Sequence, residues 1–281
     1  MNKLRALAVV AFLTSGCGGG GATSGPASSP PKTTATSRAE AQVVLDRSLK
    51  LLTDGETGSF QHIVTIGSGA YATTATQSGS FDIPRKDWRG SFTAQQGSDP
   101  AIGPIQFIGT AQALYLTSPA WPAKIRGRWI RYTSTELDTA AGAAAQVDLA
   151  DGQPIATSVL FQLKARSATN SPQGTTVTAE LPSSTAVVLA HLKSGLAKQQ
   201  VDPSTIKGVT EVTLDVAPDG TVRSLKMATD ALNGVMTRLP TFFAPLRDQV
   251  GVVVTYGKFA VPLTLKIPTG KELLSPAELG P

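Results

Sequence analysis

One cysteine, two histidines and a few hydroxyl and lysine spacings are all that this chain of 281 residues offers for covalent or proton-transfer chemistry. A single thiol, Cys17, excludes an intramolecular disulfide framework and any cysteine-rich zinc site. His62 and His191 are too few for a histidine metal site, and no Ser/Asp set can be assigned to either, so both read as structural. Ser204-Thr205-Ile206-Lys207 fits Ser-x-x-Lys, and Lys193-Ser194-Gly195 resembles the Lys-Thr-Gly element that accompanies it in penicillin-binding enzymes. Here the order is reversed, and Pro203 and Gly208 give the first match loop chemistry, so both are coincidences of spacing. Gly-x-Ser-x-Gly, a Walker loop and His-Glu-x-x-His are all missing from the sequence. Asp82, Asp87, Asp215 and Asp219 fall at turns and strand ends. The Gly16, Gly18 and Gly21 spacing of a dinucleotide loop has no strand before it. No catalytic set, metal or cofactor is expected.

Cys17 has a different kind of chemistry. Lys3 and Arg5 precede the apolar run Ala6 to Leu13, which is too short to span a bilayer, and small residues follow. That is the layout of an export signal. Leu13-Thr14-Ser15-Gly16-Cys17 looks like a bacterial lipobox, with Thr14 where leucine is usual. In that class of signal the thiol takes diacylglycerol and cleavage makes Cys17 the new N-terminus. Residues 1–16 are thus expected to be a lipoprotein signal peptide and Cys17 the lipidation site. Loss of Lys3 and Arg5 lowers the formal charge from +5 to +3, so the basic balance is partly that of the signal. Trp129 among Lys124, Arg126, Arg128 and Arg131 reads as a polar strand edge with one buried Trp, and no nucleic-acid partner is expected.

The elements downstream fall into a sequence. Residues 17–36 are Gly, Ala, Ser, Thr and Pro with one Lys after the cysteine, a composition that cannot bury enough surface to order itself and reads as a flexible tether. Beyond it, 41% hydrophobic and 16% charged residues across the chain suffice for a core. Ser37-Arg38-Ala39-Glu40 is a capping box, and Ala41, Val44, Leu45, Ser48, Leu51 and Leu52 recur at helical spacing up to Gly55. Short alternating runs follow at Phe60 to Ile66, Tyr71 to Ile83 with a break near Gly79, Trp88 to Gln95, Ile105 to Thr110, Leu114 to Leu116 and Arg128 to Thr133. They suit an antiparallel meander with one covered face.

Pro154 is placed to start a short helix over Ile155 to Leu163, Thr175 to Leu181 returns to strand, and Ser183 to Lys198 reads as a second helix. Glu211 to Val216 and Val222 to Met227 form a hairpin about Ala217-Pro218-Asp219-Gly220. Residues 230–248 are apolar without a clean period, a broken helix or a flap. Val250 to Tyr256 and Val261 to Ile267 are expected to close the chain as strands. One α+β domain over residues 37–281 accounts for the pattern.

Several of these stretches together resemble the actinobacterial, mycobacterial-type lipoproteins LppX, LprA, LprF and LprG. They are Ala41 to Thr53 with Gly58-Ser59-Phe60-Gln61-His62, the Ala113-Leu114-Tyr115-Leu116 strand, Glu211 to Ala217 with Val222 to Met227, and Val252 to Phe259 with Val261-Pro262. The family's segments are shorter than 230–248 and match 138–153 poorly.

The resemblance implies a LolA/LolB-like fold: a strongly curved antiparallel sheet, a half-barrel, with helices covering the concave face. It further implies a lipid or glycolipid partner whose acyl chains lie in a hydrophobic cavity between sheet and helices. The protein would be anchored on the extracytoplasmic side of the cell membrane and would carry or present the lipid in the envelope, with an envelope transporter as a further partner. Cavity walls are then expected at Val44, Leu45 and Leu52 on the first helix, and at Leu160 and Leu163. Val188, Leu192, Leu196 and the pair Phe242 and Phe243 complete them. Taken one by one, the same residues better suit a normally packed core, as in a structural or interaction lipoprotein that works through a protein partner.

Overall fold

A computed structural model describes residues 36–54, 57–67, 72–133, 136, 149–150, 153–236, 249–257 and 259–274. All belong to the unit Thr33–Pro281. Helix α1 spans Arg38–Asp54 and starts at the expected capping box: the Ser37 amide donates to the Glu40 carboxylate at 2.8 Å, and the Glu40 amide to the Ser37 hydroxyl at 3.4 Å. Its buried stripe is Ala41, Leu45, Ser48 and Leu52, whereas Leu51 is 38% exposed and lies off it.

A meander follows: β1 (Thr57–Ile66), β2 (Thr73–Asp82), β3 (Asp87–Gln96), β4 (Ile102–Gly109), β5 (Ala113–Thr117) and β6 (Trp129–Thr133). The β7/β8 pair (Leu149–Ala150, Gln153–Pro154) forms a separate ladder and leads into helix α2 (Ile155–Ser158) with a 3-10 turn, Val159–Gln162. The second half brings β9 (Lys164–Ser171), β10 (Gly174–Pro182), α3 (Ser183–Leu189), α4 (Lys193–Lys198), β11 (Val209–Val216), β12 (Val222–Met227), α5 (Asn233–Met236), β13 (Val250–Gly257) and β14 (Leu273–Leu274).

Among the described residues, twelve strands form one open sheet in the order β14-β6-β5-β4-β3-β2-β1-β13-β12-β11-β10-β9. All pairings are antiparallel except β14 with β6. Two meanders therefore meet where β13 joins β1, with Val254 opposite His62 and Tyr256 opposite Phe60. This is the α+β class with the curved, mostly antiparallel sheet expected from the sequence. Alternation fixes one inner face: Phe60, His62 and Val64 on β1, Gln77 and Phe81 on β2, Trp88 and Phe92 on β3 are all buried, as are Val252, Val254 and Tyr256 on β13. α1 packs on β9, β10 and β12, while α2 and α3 touch β1, β10 and β11.

Four local expectations change. β2 runs unbroken through Gly79, where an added Cβ would lie 2.2 Å from the Arg89 carbonyl oxygen; glycine there permits close strand approach without ending the strand. Ser183 to Lys198 is two helices, because the Leu189 carbonyl accepts the His62 Nε2–H at 2.8 Å and His191 turns to φ 55°. Val261 to Ile267 is not a strand: Leu265 and Ile267 lie across the outer face of the sheet on Ile108, Ala113 and Tyr115, covering an apolar patch. β9 went unread because its inward residues are only Ala165 and Ala168 in a polar run.

Candidate functional site

The inner face and its helical cover make one hydrophobic cluster, into which Leu45, Leu52, Leu160, Leu163, Leu192 and Leu196 are built and against which Val44 and Val188 pack. Each comes from an amphipathic element whose other side is wet, so burial of this stripe is what orients the helices. Leu45, Leu160 and Leu196 have 0% exposure, which leaves no water-sized void beside them. Cys17, Phe242 and Phe243 lie outside the described residues.

At the margin of this cluster a slot of about 310 Å³ opens between α1 and the tips of the β9/β10 and β11/β12 hairpins. Val44, Val216, Ala217 and Pro218 give it an apolar wall; Arg47 and Asn170 stand at its polar side. The β11/β12 tip is the turn read from the sequence: the Gly220 amide donates to the Ala217 carbonyl, Gly220 takes φ 90°, and Asp219 accepts the Thr221 amide at 2.9 Å. On the outer face, Ser59, Ser78, Arg89, Gln106, Ile108 and Trp129 are among the residues lining a shallow groove of about 590 Å³. The segment read as a polar strand edge is the start of β6, where Trp129 is half-buried against the outer apolar cluster and Arg128 donates to the Leu273 carbonyl at 2.7 Å.

Within the apolar interior, most buried polar side chains are satisfied: Ser48 by Val44, Thr157 by Pro154, and Ser183 with Thr210. His62 and Gln77 depart from this. They face each other across β1 and β2, both 0% exposed, and the His62 ring stacks on His191 at a centroid distance of 4.7 Å. The edge of Phe92 meets His191 at 5.7 Å. Burial above all, and then the neighbouring His191, holds His62 well below the usual histidine range; the Leu189 carbonyl and Gln77 act the other way without reversing it. Burial likewise pushes the Tyr256 phenol up, and its O–H donates to the Ala156 carbonyl. Sequence reasoning placed both histidines as structural but missed Gln77, whose only signal is a polar side chain at an inward position of β2.

Among the described residues, no group of three or more His, Cys, Asp or Glu side chains could hold a metal, and no helix is long and apolar enough to cross a membrane. The architecture is thus that of an open curved sheet closed on one side by helices around an apolar interior. No family model and no curated protein matches the chain in sequence. Similar solved structures include LprF from Mycobacterium bovis, 13% identical over 83% of this chain and 98% of that one, with a TM-score of 0.41. The lipoprotein LppX from Mycobacterium tuberculosis is 12% identical over 81% of this chain and 99% of its own, with a TM-score of 0.42. A DUF1329 family protein from Desulfovibrio piger is 9% identical over 82% and 96%, with a TM-score of 0.33. LprF and LppX are of the group that the sequence resembles.

Proposed function

We propose that the chain is a non-enzymatic lipoprotein of the cell envelope, anchored by Cys17 on the extracytoplasmic side of the membrane. In this reading it takes the acyl chains of a lipid or glycolipid between α1 and the inner face of the sheet, and carries or presents that lipid between envelope layers. A transporter of the envelope would be the donor or acceptor. The observation that carries the reading is the slot beside Val44, where an apolar wall with a polar rim lies at the margin of the core cluster. Its volume is at the lower end of small-molecule sites, which bury ligands against apolar walls with a few polar groups at the margin. Each methylene moved into such surroundings contributes about 0.8 kcal/mol, so an acyl chain leaves a membrane only for an interior of this kind.

The test is a plug. Val44→Trp fills the slot from a half-buried position and so spares the core. Compared with the wild type purified from the same lipid-containing host, it should retain severalfold less extractable lipid. Equal retention would contradict entry at this slot.

The second reading, a structural or interaction lipoprotein, draws on the absence of accessible surface at Leu45, Leu160 and Leu196. An interior that stays filled would leave the outer surface to act through a protein partner.

A further inference from the structure

The rim of the slot beside Val44 is one-sided in its chemistry. Arg47 follows Val44 by three residues, so both side chains lie on the slot side of α1. Its Nε stands 3.8 Å from the position that a Cβ on Gly220 would take, which sets the guanidinium over the β11/β12 turn. Other arginines are engaged: Arg38 and Arg166 with Glu180, Arg85 with Asp82, and Arg223 with the Gln173 carbonyl. Arg47 has no such partner among the described residues. The turn's own carboxylate, Asp219, is held by the Thr221 amide at 2.9 Å and the Thr221 hydroxyl at 2.7 Å. Asn170, on β9, accepts the Thr175 hydroxyl on Oδ1 at 2.8 Å, which leaves Nδ2 as its donating end. The Ser48 and Ser171 hydroxyls donate to the Val44 and Gly174 carbonyls, each at 3.0 Å. Among the described residues no carboxylate lines the slot. Its margin therefore holds uncommitted donors, one of them cationic, beside an apolar wall.

From this we infer that the slot selects an anionic amphiphile, whose headgroup oxyanion pairs with the Arg47 guanidinium while its acyl chain lies on Val44, Val216, Ala217 and Pro218. Asn170 Nδ2–H adds a second donor to the same headgroup. The planar guanidinium matches two oxygens of a carboxylate or phosphate, whereas an uncharged headgroup forgoes the ion pair and a cationic one is repelled. Arg47 is exposed, so the pairing sets headgroup preference by a few-fold and weakens with salt, while the apolar wall supplies most of the affinity. The inference rests on the lipid-binding reading and names the headgroup class.

A competition tests it. Full-length lipidated protein, stripped of copurified lipid in a nonionic detergent, is given equal amounts of monopalmitoylglycerol, monopalmitoylglycerol phosphate and palmitate. It is then separated from micelles and extracted for mass spectrometry. Arg47→Gln keeps a good helix former and an amide donor but removes the charge. The ratio of anionic to neutral lipid should be about fivefold higher in the wild type than in this variant, and high salt should shrink the difference. Enrichment of the phosphate assigns the oxyanion to a phospholipid headgroup, and enrichment of palmitate alone assigns it to a free fatty acid; either upholds the inference. Equal ratios in the wild type and Arg47→Gln, or a difference that salt leaves untouched, overturn it and leave lipid binding standing. Retention of no probe overturns both.

Discussion

His62 couples stability to pH. In the unfolded chain it takes up a proton near pH 6.5, whereas in the folded protein burial and His191 delay this to a much lower pH. Below pH 6.5 the unfolded state therefore binds more protons. Stability should be fully present above that value and fall by up to about 1.4 kcal/mol per unit as pH drops toward the depressed folded value. Urea unfolding at pH 7.5 and 5.5 should show the loss, and His62→Gln should shrink it; a pH-independent midpoint would contradict the burial of a neutral imidazole. Gly109 is a second sensitive position. It stands opposite Trp88, and an added Cβ would fall 1.9 Å from the indole ring. Gly109→Ala should cost about 1–3 kcal/mol by overpacking, read as a lower melting temperature.

At the scale of elements, hydrogen bonds tie the cover to the sheet. Tyr256 on β13 donates to the Ala156 carbonyl on α2, inside the core. Tyr256→Phe removes that buried hydrogen bond and should destabilise by about 0.5–1.5 kcal/mol, measured by denaturant unfolding. Thr36 and α1 protect the outer edge of β9: the Thr36 amide donates to the Ala168 carbonyl at 2.9 Å, and Gln42 Oε1 accepts the Ala165 amide at 2.9 Å.

Legibility followed burial pattern. α1 was readable because its cap and its apolar spacing are both local signals, and β1 to β6 because large side chains alternate. The α3/α4 break was not, since it depends on a carbonyl claimed by His62 from far along the chain. The extended segment over Leu265 and Ile267 was read as a strand because apolar alternation looks the same whether a segment pairs or merely lies across a face.

In the unit Thr33–Pro281, helices cover the apolar inner face of one open sheet. Those wall residues that lie among the described residues pack in or against one core cluster, since amphipathic stripes converge on it; that convergence is common to a lined cavity and a filled one. What the sequence could not convey was the pairing of His62 with Gln77, which exists only once β1 and β2 are in register. Cys17→Ser should move the protein from the membrane fraction to the soluble fraction of the cell, and continued membrane retention would contradict the lipid anchor. The central claim is occupancy of the interior, and native mass spectrometry of the intact protein purified from a lipid-containing host reads it directly. The account predicts a stoichiometric mass excess that extracts as an acyl-containing lipid. A bare polypeptide mass, apart from the anchor, that persists after incubation with envelope lipids would contradict it.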